Sequence, residues 1–81
     1  MNRVFERPTR KTWKLVCRFK FFGREKVYED VLCVAHSRLE LTELARNTNR
    51  LSILASESVP YFERRPVEEV LILSSDIVLV E

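Results

Sequence analysis

Apolar and polar residues alternate from Thr12 to Phe21, turn near Gly23, and alternate again toward His36. Trp13, Leu15, Cys17, Phe19 and Phe21 share one side of this period-two pattern, while Lys14, Val16, Arg18 and Lys20 share the other. Two half-buried strand patterns about one glycine predict a β-hairpin. With Gly23 and Arg24 as the central pair of a type II′ turn, the register follows. Trp13 faces Val34, Leu15 faces Leu32 and Phe19 faces Tyr28 on an apolar face. On the second face Arg18 meets Glu29, an opposite-charge pair, and Val16 meets Val31. Cys17 then faces Asp30, which puts that carboxylate at the rim of the core face or forces a bulge.

The period changes after His36. Ser37 and Glu40 have the capping-box spacing, and Leu41, Leu44, Ala45 and Thr48 recur at helical intervals, so the spacing predicts a helix over Ser37 to Asn49. Asn47 and Asn49, which tolerate left-handed geometry, mark its exit. Leu51 to Ala55 alternates briefly and reads as a third strand. Glu57 to Pro66 holds two prolines, Pro60 and Pro66, and reads as an extended connection presenting Tyr61, Phe62, Arg64 and Arg65. Val67 to Val80 is the most apolar stretch, fitting either two short strands about Ser75 and Asp76 or one strand with a bulge. Its unbroken apolar runs predict a place inside the sheet or against a partner. The expected fold is α+β: a small antiparallel sheet with an N-terminal hairpin and one packed helix, in the order ββαβββ. Residues 1–11 read as a basic arm stopped by Pro8, and residues 12–81 as a single domain.

Charge is unevenly spread. Met1 to Lys26 carries +7, Val27 to Arg65 carries −1 and Pro66 to Glu81 carries −4, within a net charge of +2. Such a gradient implies an anionic partner at the basic end, or two ends that neutralise each other in the fold. With 46% hydrophobic residues among 81, the chain is apolar enough to fold, yet too small to bury all its apolar side chains. Some of them are expected to meet a partner.

Candidate chemistry is sparse. One glycine excludes the familiar phosphate-cradling loops, and a single histidine leaves no histidine pair for zinc. Cys33 and His36, three apart on a strand, point to opposite faces, which argues against an activated thiolate. Cys17, Cys33 and His36 are one ligand short of a structural zinc site. The adjacent carboxylates Glu29 and Asp30, like Glu68 and Glu69, diverge on strands and read as surface. No catalytic residue, metal or cofactor is implied, and no small-molecule substrate is expected. Two cysteines do not make a disulfide scaffold, and no apolar run approaches the roughly 20 residues of a membrane span. A reduced, cytoplasmic setting without membrane attachment is the simplest expectation.

Two functional readings remain. The first is a protein-binding module or small regulator that engages another protein or a second copy of itself. Its candidate contacts are Val16, Val27 and Val31 on the second hairpin face, with Tyr61, Phe62, Arg64 and Arg65 on the connection. The second is nucleic-acid binding, in which Arg7, Arg10, Lys11, Lys14, Lys20, Arg24 and Lys26 track phosphates and exposed aromatics stack on bases.

Overall fold

A computed structural model describes residues 10–80. Arg7, with the rest of the arm up to Thr9, lies outside the described residues. Strand β1 spans Thr12–Phe21 and β2 spans Val27–Ala35; helices α1 (Arg38–Arg46) and α2 (Thr48–Ser58) follow, and β3 spans Val70–Val80. Short 3-10 turns at Tyr61–Glu63 and Val67–Glu69 join α2 to β3. The architecture is α+β, with a three-stranded antiparallel sheet in the order β2-β1-β3 and two helices.

The alternation along β1 decides which face the helices take. Leu15, Cys17, Phe19 and Phe21 are at most 1% exposed and form one cluster with Leu41 of α1, with Leu51 and Ala55 of α2, and with Val59 just beyond it. Both helices therefore lie on the face of the odd-numbered β1 residues. Phe19 stacks on Tyr28 at 5.4 Å between centroids and meets the edge of Phe21 at 6.3 Å, which ties the hairpin into this core.

The expected hairpin register holds from Val16 to Lys20, including Val16 with Val31, Arg18 with Glu29 and Phe19 with Tyr28. Beyond Val16 it shifts: Leu15 pairs with Cys33 and Trp13 with Ala35, leaving Leu32 as the extra residue of a bulge. The bulge moves Cys33 from the second face to the core side, where it packs with Leu32 against the cluster. Asp30 stays opposite Cys17 but is exposed on an outer strand, and its Oδ1 accepts the Val31 amide at 2.8 Å.

The turn also differs from expectation. The Arg24 amide donates to the Phe21 carbonyl at 2.9 Å, which makes Phe22 and Gly23 the central pair. Gly23 has φ 82° and no other residue has positive φ among those described, so this is a type II turn with glycine third, rather than type II′ with glycine second.

The helix beginning after Ser37 is present, and the Ser37 hydroxyl accepts the Glu40 amide at 3.3 Å. It ends earlier than expected. Asn47 closes α1 with φ −93°, outside the left-handed region, and its side chain then accepts the Arg50 amide at 3.1 Å, starting α2. The stretch expected as a third strand is thus the middle of a second helix. Leu51, Ser52, Ala55 and Ser56 are its buried positions, continued by Val59 just past its end, a helical spacing that two serines disguise. Ser56, 3% exposed, donates its hydroxyl to the Arg65 carbonyl at 3.1 Å, so its burial leaves no polar atom unpaired.

The last apolar stretch forms one strand with a bulge, not two strands. Phe19 pairs with Ile72 and Arg18 with Ser74, leaving Leu73 as the extra residue. Among the described residues β3 lies at the edge of the sheet rather than inside it.

Candidate interaction surface

The face of the sheet turned away from the helices is set by the even-numbered residues of β1 and their neighbours. Lys14 lies between Val34 and Val78, Val16 between Val31 and Asp76, Arg18 between Glu29 and Ser74, and Lys20 between Val27 and Leu71. No described element packs over this face. Val27, Val31, Val34, Leu71, Val78 and Val80 are each 38 to 57% exposed. Arg18 Nε stands 3.8 Å from Glu29 Oε1, with both side chains more than half exposed, so the pair adds at most about 1 kcal/mol. The surface is a central basic column flanked on both outer strands by aliphatic side chains.

Of the expected protein contacts, Val16, Val27 and Val31 share this face. Val34, Leu71, Val78 and Val80 belong to it too, beyond the expected set. Alternation in β2 pointed to Cys33 instead of Val34 because a bulge inside a continuous apolar run leaves no trace in the pattern.

The connection residues sit elsewhere, at the turn end of the hairpin. There Glu63 Oε1 accepts from Lys26 Nζ at 2.8 Å and from the Tyr28 hydroxyl at 2.6 Å, joining hairpin to connection. The Lys26 hydrogen bond, then that of Tyr28, holds the Glu63 carboxyl below the usual carboxylate range. The same carboxylate raises the Lys26 ammonium and the Tyr28 phenol. A cleft of about 340 Å³ opens here, bordered by Arg24, Lys26, Phe62, Arg64 and Arg65. Glu63 was not among the expected residues, and no local motif marks it: its partners are 35 and 37 positions away.

The four connection candidates divide by role. Arg64 donates from Nη2 to the carbonyls of Glu57 at 3.1 Å and Val59 at 3.0 Å, binding the C-terminal end of α2. Arg65 grips Glu69 through Nε at 3.1 Å and Nη2 at 3.3 Å. Both cations thus have partners within the chain. Tyr61 and Phe62, 84% and 85% exposed, project into solvent, and Phe22 in the hairpin turn is 71% exposed.

The basic candidates are spread along the sheet instead of gathered. Arg10 and Lys11 precede β1 and Lys14 lies near its start, while Lys20 lies near its far end, about 20 Å from Lys14 by strand rise, with Arg24 and Lys26 beyond it. His36 Nδ1 is 3.2 Å from the Lys11 carbonyl and 3.4 Å from Thr12 Oγ1, a junction of strand ends. None of the three ion pairs among the described residues joins the basic N-terminal stretch to Glu68, Glu69 or Asp76. No described helix is long and apolar enough to cross a membrane.

Comparison with models of known families, with curated proteins and with solved structures finds no match to this chain.

Proposed function

We propose that this chain is a non-catalytic protein-binding module that docks a partner on the open face of its sheet. The observation that carries this reading is the disposition of the two helices. Both lie on one face, leaving six aliphatic side chains of the outer strands and Val16 of the central strand in a single uncovered surface. Lys14 and Lys20 fit such a surface, since each stands between two aliphatic residues and a lysine can lay its stem on them while its ammonium group meets a partner's carboxylate. The exposed Phe22, Tyr61 and Phe62 extend the same chemistry to the turn end, where aromatic anchors are favoured.

A second reading, nucleic-acid binding, draws on Phe62, Arg24 and Lys26, which border one cleft at the turn end of the sheet. Aromatic stacking beside cations suits single strands. Against it, Glu63 engages Lys26, and Arg64 and Arg65 have intrachain partners.

One experiment separates the two. The tagged chain and its Val31→Glu variant are recovered from the native cell at moderate salt, with and without nuclease. A protein retained through nuclease treatment and lost with Val31→Glu supports the proposal. A partner lost only with nuclease, whose binding weakens with salt and less steeply so when Arg10, Lys11 and Lys14 become glutamine, supports the second reading; each lost contact removes about 0.9 from the slope on duplex DNA.

A further inference from the structure

We infer that the outer edge of β3 joins a second copy of this chain, the two strands running antiparallel about a two-fold axis at Ile77. The result is one six-stranded sheet in the order β2-β1-β3-β3-β1-β2. This inference concerns an edge of the sheet and is independent of the partner assigned above to its open face.

The two edges are unequal. Strand β2 is protected: its bulge at Leu32 divides it into short runs, Glu29 and Asp30 put charges on it, and the Asp30 carboxylate occupies the Val31 amide. Strand β3 has little such protection. Its bulge at Leu73 lies toward the start, leaving Ser74–Val80 as an unbroken run in register with β1. Asp76 is the only charged residue in Val70–Val80. Among the described residues no strand pairs with the outer side of β3, so every second backbone amide and carbonyl along it faces outward unpaired.

A second copy fits this edge in charge and in facing. Ile77 is the midpoint of Ser74–Val80, so a two-fold axis there sets Ile77 opposite its own copy, Ser75 opposite Leu79, Asp76 opposite Val78 and Ser74 opposite Val80. Each pair joins residues from the same face of the sheet, because the run has no bulge to break its alternation. Centring the pair on Asp76 would set two carboxylates face to face; the Ile77 register avoids this. The axis stands perpendicular to the sheet, so the four helices share one side and both open faces share the other. The contact is isologous and closes at two chains, whose outer edges are then the two protected β2 strands.

Charge placement gives the test, because a carboxylate at position 78 has opposite effects within and between chains. Within one chain Val78 lies beside Lys14, where a carboxylate is welcome, so Val78→Asp retains the fold. Across the two-fold axis the same group faces Asp76 of the other copy, and the clash occurs twice. Light scattering and sedimentation of the full chain should report a two-chain particle. Val78→Asp should weaken it about tenfold, and adding Asp76→Lys to that variant should restore it by setting opposite charges across the axis. Amide exchange in β3 should slow as the wild-type concentration rises, while β2 stays unchanged. A single-chain mass at high concentration overturns the inference. So does exchange in β3 that is slow at every concentration, which would mean that the chain covers its own edge. A two-chain particle that survives Val78→Asp but dissociates with Val31→Glu would move the self-contact to the open face and likewise overturn it.

Discussion

The covered and open faces of this sheet are written into the same ten residues of β1, one position out of step. Leu15, Cys17, Phe19 and Phe21 lie under the helices with almost no exposure, whereas Lys14, Val16, Arg18 and Lys20 line the centre of the open side. On the covered face the central strand is the most apolar and the outer strands add Tyr28, Ile72 and Ile77 around it. On the open face the order is inverted: the centre is basic and the aliphatic side chains stand on the flanks. A core is most apolar at its middle because that is where water is excluded most fully. The open face therefore does not have the composition of a surface built to accept another helix of this chain. On the function proposed above, Lys14 and Lys20 would meet carboxylates of the partner.

Paired substitutions, one on each face, give the largest contrast. Phe19 is fully buried and stacked on Tyr28, so Phe19→Ala should cost about 3–5 kcal/mol, the usual range for emptying an aromatic site. Val31→Glu, at a residue 40% exposed, should change stability by no more than about 0.5 kcal/mol, since its carboxylate faces water. Urea denaturation of both variants measures the difference. Equal losses would mean that the second face is buried after all, and the division between the faces would fail.

Thiol chemistry marks the same division more finely. Cys17 is buried on the covered face and its thiol is pushed above the ordinary 9.0 by loss of hydration. Cys33 is half-buried on an outer strand. Both are free, so the unfolded protein should titrate two thiols without reductant. In the native protein a soluble thiol reagent should label Cys33 first and reach Cys17 only as the sheet opens, and Phe19→Ala should accelerate the second step. Labelling of both at one rate would indicate that the covered face is open to water.

The parts of this arrangement that could be read from the chain are those in which alternation and charge agree. From Val16 to Phe19, apolar pairs and the Arg18–Glu29 pair favour one register, and the structure has it. From Val31 to Val34 all four residues are apolar, so the phase of the pattern carries no information and the bulge at Leu32 was invisible. The second helix reads as a strand because Ser52 and Ser56, counted as polar, hide its buried stripe; both are small enough to pack inward, and Ser56 bonds the Arg65 carbonyl. The long apolar end was legible as strand, while its edge position depends on pairing with β1 some 60 residues earlier. The open face was legible only where the register was. The cluster at Glu63 could not be seen at all, since neither Lys26 nor Tyr28 is near it in sequence.

That cluster also supplies the smallest expected effect, at the seam where the layer on the covered face reaches the hairpin. Glu63 is held ionised below its ordinary 4.5 by Lys26 and then Tyr28, so folding favours its charged form. A carboxyl lowered in the folded state contributes stability that is complete above the ordinary value and is lost as pH falls through the folded one. Wild type should therefore lose more stability between about pH 7 and about pH 3 than Glu63→Gln does, with both measured by denaturant titration. The difference should be smaller than the effect of Phe19→Ala, because Lys26 is largely exposed and water screens the pair. Tyr28 gives an independent reading at the other end of the scale. Its phenol is raised above 10.0 chiefly by the hydrogen bond it donates to Glu63, and burial adds to this. An absorbance titration of wild type should show one tyrosine ionising late, and Glu63→Gln should bring that step down. Should the two proteins titrate alike at both ends of the pH scale, Glu63 would not be joining the connection to the hairpin, and the cleft beside it would lose the contact that shapes it.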